Sequence, residues 1–113
     1  MEIRRGDVFY VRNEDIATKA PHEQGGIRPA VIIQNNVGNH YSPTVIVAYL
    51  TAKQKKPMPT HVHTFTTPKP SIIMCEHIAT ISKERLLEYI CSFSENEMDE
   101  IDSALAVSLG LQN

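Results

Sequence analysis

The residues best suited to chemistry sit in one short run. Glu23-Gln24-Gly25-Gly26-Ile27-Arg28-Pro29 ends a long polar connection and leads straight into an apolar stretch. Consecutive glycines let backbone N–H groups approach a ligand closely, and successive N–H groups can form an anion-binding concavity. Pro29 keeps the preceding residue extended, so Arg28 stands at a strand's mouth as a fixed guanidinium fork suited to phosphate. The same residues also fit a surface arginine paired with Glu23 after a tight turn. Thr51 closes a second apolar stretch, where its hydroxyl can donate to a phosphate oxygen or satisfy a strand-end carbonyl. Lys53, Lys55 and Lys56 follow in Ala-Lys-Gln-Lys-Lys-Pro-Met-Pro, residues 52–59, a basic loop that either attracts a polyanion or is simply solvated. His61 and His63 lie two apart and on a strand share a face. Nothing nearby supplies the third and fourth ligands of a metal site. There is no Walker-type loop, G-x-S-x-G or H-E-x-x-H. Neither metal nor cofactor is expected.

The elements that must position these residues are mostly strands. Residues 7–12, 29–34, 44–50, 61–65, 71–75 and 87–93 carry strand patterns, and the second and third are continuous apolar runs of the kind buried on both faces. Asn35 to Asn39 reads as a turn, and Leu87, Tyr89, Cys91 and Phe93 alternate as one face. The period then changes. Ser94-Glu95-Asn96-Glu97 has capping-box spacing, Met98, Ile101, Leu105 and Leu109 form a helical stripe, and Gly110 suits the stop. Short strands plus one terminal helix predict a mainly β fold, a small bent sheet or partly open barrel, in one domain spanning 1–113.

At 113 residues with 42% apolar content the chain fits a soluble globular protein. No run approaches the ~20 apolar residues of a membrane span, and the N-terminus lacks the apolar core of a secretion signal. Cys75 and Cys91, without a C-x-x-C, read as buried free thiols in a reducing, cytoplasmic setting. The net charge of −2 is unevenly spread: residues 1–83 hold ten Lys/Arg against six Asp/Glu, and residues 84–113 one against seven. A basic body with an acidic end can bind phosphate on one side and stay soluble.

Taken together, these blocks resemble the MazF/PemK toxins. The resemblance runs in order through Arg5-Gly6-Asp7-Val8, Glu23 to Pro29, Ile33-Gln34-Asn35, Ser42 to Ala48, Leu50-Thr51-Ala52 and Pro59-Thr60-His61-Val62. It continues through Glu76, Thr80-Ile81, Lys83 to Leu86 and the ending from Ala104 to Leu111. Only residues 12–22 and 64–70 stand outside it, and His77 and Ala79 occupy positions where the family commonly has Gln and Arg. The resemblance implies an SH3-like, partly open barrel of CcdB/PemK type with a C-terminal helix, a two-fold homodimer, and single-stranded RNA in the groove between copies. It also implies a cognate antitoxin whose disordered acidic tail folds onto that groove, with DNA contacted only through the antitoxin.

The implied activity is a metal-independent, sequence-specific endoribonuclease, or mRNA interferase, with Arg28 and Thr51 as catalytic residues. The ribose 2′-OH attacks its own 3′ phosphate to give 2′,3′-cyclic phosphate and 5′-OH ends. Glu23 is the nearest candidate base by sequence, or a helper of Arg28. Gln24, Gly25, Gly26, Lys53, Lys55, Lys56, Pro59, His61 and His77 are the expected RNA contacts. Two alternatives share the fold: a toxin that poisons DNA gyrase by binding it, and a catalytically silent co-repressor.

Overall fold

A computed structural model describes residues 2–13 and 26–111. Glu23, Gln24 and Gly25 therefore lie outside the described residues, as does most of the long connection. Six strands are present: β1 (Asp7–Arg12), β2 (Ile27–Ile32), β3 (Thr44–Thr51), β4 (His61–Thr64), β5 (Ser71–Ser82) and β6 (Leu86–Ser92). They form one antiparallel sheet in the order β4-β5-β3-β2-β1-β6, left open because β4 and β6 do not pair. Among the described residues two α-helices, α1 (Asn36–Tyr41) and α2 (Glu95–Ser108), and a short 3-10 helix at Lys83–Arg85 complete it.

The continuous apolar runs have a direct cause: both faces of the central strands are buried. Phe9, Val11, Ala30, Ile32, Val45, Val47, Tyr49, Ile72 and Met74 fill the inner face of the bent sheet. Val8, Val31, Ala48, Leu50, Val62 and Ile73 point the other way, onto Ile101, Ala104 and Leu105 of α2. Curvature is concentrated in β5. Tyr49 pairs with Met74 but Ala48 pairs with Ile78, so Cys75-Glu76-His77 are surplus to the ladder and bend the strand.

Three local expectations need correction. Asn35 to Asn39 does not form a simple turn. Asn35 caps α1, its side chain accepting from the Gly38 N–H, and Asn39 is buried within a side-chain amide network to Gln34. The single face expected for Leu87 to Phe93 is broken by irregular pairing with β1: Tyr89 lies opposite Phe9 on the inner side, while Cys91 lies opposite Val8 on the helix side. The helical stripe ends early. Leu109 is exposed as the C-cap, after which Gly110 at φ +72° and Leu111 donate back to Val107 and Ala106, a Schellman closure that favours glycine. Cys75 and Cys91 are free, the first buried and the second half-buried. Among the described residues no helix is long and apolar enough to cross a membrane.

The capping box is present and has a second duty. Ser94 Oγ accepts from the Glu97 N–H, and Glu97 Oε1 accepts from the Ser94 N–H at 3.0 Å. The other carboxylate oxygen accepts from Thr64 Oγ1 at 2.9 Å and Thr66 Oγ1 at 2.8 Å, fastening the end of β4 to the start of α2. Burial alone would raise the Glu97 pKa. Hydrogen bonds from the Ser94 backbone, Thr66, Thr64 and the Ser94 hydroxyl outweigh it, holding the carboxyl below its ordinary 4.5.

A depressed folded-state pKa means this contribution is complete above the unfolded value and fades as pH falls through the folded one. Glu97→Ala should destabilise the fold by about 1–3 kcal/mol at neutral pH. Thermal melts followed from pH 7 to pH 3 should show this deficit shrinking below pH 4.5.

Candidate active site

The ladder between β2 and β3 sets the site. Ala30 pairs with Tyr49, Val31 with Ala48 and Ile32 with Val47. The paired ladder ends at Ala30–Tyr49; by strand alternation Arg28 and Thr51, each two residues beyond that pair, lie on the same inner face at the open ends of β2 and β3. The arginine side chain leans back along β3, its Cζ lying 4.9 Å from the centroid of the Tyr49 ring. An aromatic shelf orients a guanidinium through its π-face and leaves its in-plane N–H donors unused. Arg28 is half-buried, and it takes no part in the ion pairs among the described residues, which are Arg4–Glu2, Arg5–Asp102 and His61–Glu76.

Thr51 is also half-buried, and among the described residues its hydroxyl donates to no strand-end carbonyl. Its Oγ1 accepts from the Lys53 N–H at 3.1 Å, in the turn that starts the basic loop. With a lone pair engaged in that turn, the hydroxyl proton is available to donate. Lys53, Lys55, Lys56 and Pro59 are all exposed beyond it. Gly26 opens β2 at φ +83°, its carbonyl accepting from the Asn13 N–H at 2.8 Å, a conformation that a side chain would strain.

The inner face continues across β5 to β4. Thr51 pairs with Ile72 and Ile72 with His63; one step along, Tyr49 pairs with Met74 and Met74 with His61. At about 4.8 Å per strand, the histidines stand roughly 10 Å or more from Thr51, a nucleotide's reach rather than a hydrogen bond's. The two differ in exposure. His63 is exposed, whereas only 4% of the His61 side chain is. His61 Nε2 lies 2.9 Å from Glu76 Oε2, and Glu76 Oε1 accepts from Thr60 Oγ1 at 2.8 Å. Burial pushes the Glu76 carboxyl up, but the Thr60 and His61 bonds pull it further down, below its ordinary value. An ionised carboxylate only accepts, so the proton sits on His61 Nε2. Nδ1 is buried with no hydrogen-bond partner among the described residues. His77 is exposed in the β5 bulge.

Sequence reading missed two participants. Tyr49 lies two before Thr51, so strand alternation alone puts it on the same face, but its value as a shelf depends on which strand adjoins it. Glu76 reaches His61 only because β4 pairs with β5 and because the surplus residues swing it out of the ladder.

The chain and its fold have known relatives. Residues 4–109 match the model of the PemK-like, MazF-like toxin of type II toxin–antitoxin systems. The chain belongs to that family. It is 48% identical to the Endoribonuclease MazF of Staphylococcus epidermidis over 98% of its own length and 94% of the relative's. Among solved structures it is similar to a mycobacterial endoribonuclease in complex with its cognate antitoxin, at 27% identity, TM-score 0.79 and 97% coverage of each chain. It shares its fold with a MazE–MazF complex from Deinococcus radiodurans, at 19% identity, TM-score 0.80 and 99% coverage of each.

Imidazole nitrogen NMR should show His61 in the Nε2–H tautomer, with Glu76→Ala abolishing that preference. An Nδ1–H tautomer in the unaltered protein would contradict the assigned geometry.

Proposed function

We propose that this chain is an endoribonuclease toxin that cuts single-stranded RNA at defined sequences without a metal ion. The observation that carries the reading is the Arg28–Tyr49–Thr51 arrangement on the inner face, with the basic loop at its rim. The 48% identical relative bearing the name of an endoribonuclease supports it over gyrase poisoning or a silent co-repressor.

The chemistry follows from the donors. The 2′-OH attacks the adjacent phosphorus as it loses its proton, negative charge gathers on the non-bridging oxygens, and the P–O5′ bond breaks as the leaving oxygen takes up a proton from the Arg28 guanidinium or from water. The products are a 2′,3′-cyclic phosphate and a free 5′-OH. Arg28 meets the developing charge with its fork and Thr51 donates to a non-bridging oxygen, so preorganised donors do the work of electrostatic stabilisation. Arg28 is too basic to accept the 2′-OH proton. That role goes to Glu23, with Gln24 and Gly25 beside it supplying contacts. Lys53, Lys55 and Lys56 hold the flanking phosphates, while Pro59, His61 and His77 border the RNA path. Requiring a 2′-OH also spares DNA.

The chain works as a homodimer in the cytoplasm and is neutralised by an antitoxin. Ile27, Leu87 and Tyr89, exposed apolar residues from β2 and β6, favour a second copy. The neighbour solved with its cognate antitoxin favours the inhibitor; the acidic tail that the family resemblance implies would match the basic rim.

Incubation with a long transcript in EDTA should give fragments ending in 2′,3′-cyclic phosphate. Arg28→Ala should lower kcat by about 10²–10³-fold, as losing a preorganised oxyanion donor does, with an unchanged melting temperature. Full cleavage by that variant, or cleavage that EDTA stops, would refute the reading.

A further inference from the structure

The loop after β4 presents an aromatic ring that the fold has no use for. Phe65 is 80% exposed, and it lies just past the end of β4, lining a cleft with His63. Large exposed rings are ordinarily left floppy, but this one is held on both sides. Thr64 and Thr66 each donate to the same Glu97 carboxylate oxygen, at 2.9 and 2.8 Å, and the Thr66 N–H donates to Thr64 Oγ1 at 3.1 Å. The return of the loop is tied as well: Thr67 Oγ1 donates to the Lys69 carbonyl at 2.6 Å, and Ser71 Oγ donates to the same carbonyl at 2.9 Å. An exposed aromatic on so rigid a mount is preorganised for contact.

What it faces is equally particular. Phe65 lines a cleft of about 230 Å³ together with Lys53, Gln54, Lys55, His63 and Ile72. Among the described residues no carboxylate lines this cleft. Ile72 is the residue paired with Thr51, so the cleft adjoins the position of the scissile phosphate. A flat apolar face beside two ammonium groups fits one kind of occupant, an unpaired nucleotide, its base stacked on the ring and its phosphate between the lysines.

We propose that Phe65 is a stacking platform for a nucleobase flanking the cleaved bond, with His63 reading its edge and Lys53 and Lys55 holding its phosphate. This rests on the endoribonuclease reading and names a subsite of that same site. The Glu97 clamp is then both a helix cap and a positioning device, fixing the ring's distance from Thr51.

The chain contains no tryptophan, so Phe65→Trp installs a single fluorescent reporter at this position. The probe is an oligonucleotide of the mapped cleavage site, with a 2′-O-methyl group on the cleaved nucleotide to prevent reaction. Its binding should quench the fluorescence of the introduced indole. Phe65→Ala should weaken binding and raise KM by roughly 5- to 100-fold, the usual loss for one stacked base, with a smaller change in kcat and an unchanged melting temperature. Phe65→Tyr should restore affinity. Unchanged binding and cleavage by Phe65→Ala would overturn the proposal. So would a shift of that variant to a smaller species in sedimentation, which would assign the ring to contact between copies. Absence of cutting by the unaltered protein would instead sink the parent reading and this one with it.

Discussion

The structure depends on one antiparallel register. Because Ala30 faces Tyr49 across β2 and β3, Arg28 and Thr51 arrive at neighbouring positions on one face, from residues 23 apart in sequence. A slip of one residue would turn Arg28 toward α2 and leave Thr51 alone. That register is enforced by burial on both sides: Val31 and Ala48 cannot exchange places with Ala30 and Tyr49 without exposing one core and crowding the other. The same ring then serves twice, as core and as the shelf under the guanidinium. Packing and site geometry are thus one constraint.

The rest of the molecule makes that face electrostatically distinct. Helix α2, with Glu95, Glu97, Asp99, Glu100 and Asp102, covers the opposite side of the sheet. Two of its acids are engaged: Asp102 pairs with Arg5 at 2.7 Å, and Glu97 holds Ser94, Thr64 and Thr66. The inner rim keeps Arg28 and the loop lysines, with Glu76 committed to Thr60 and His61. A chain of net charge −2 can therefore still offer a polyanion a basic patch, because the acids of α2 lie across the sheet from Arg28 and the loop lysines.

Much of this was legible from residues alone, for local physical reasons. Continuous apolar runs mark doubly buried strands, and Ser94 with Glu97 marks a helix start, whatever the rest of the chain does. Arg28 and Thr51 stood out by their places at strand ends only as candidates beside ordinary surface roles, and the family resemblance is what singled them out. What stayed hidden is non-local. Glu76 looks like any strand carboxylate until β5 is seen to carry three surplus residues. Leu87 to Phe93 alternates well on paper, yet irregular pairing with β1 sends Tyr89 and Cys91 to opposite sides. Leu109 obeys the helical period, but the Schellman turn at Gly110 lifts it off the sheet. In each case the partner strand or the terminus decides, and neither is written in the local pattern.

The decisive quantity is the coupling between the guanidinium and the hydroxyl. A double-mutant cycle of Arg28→Ala and Thr51→Val, read as kcat/KM on one mapped RNA site, measures it directly. If both groups meet one developing oxyanion, the double variant will be little slower than Arg28→Ala alone, a strongly non-additive result. Losses that simply multiply would mean that the two side chains act on separate steps, and the shared site described for β2 and β3 would be wrong.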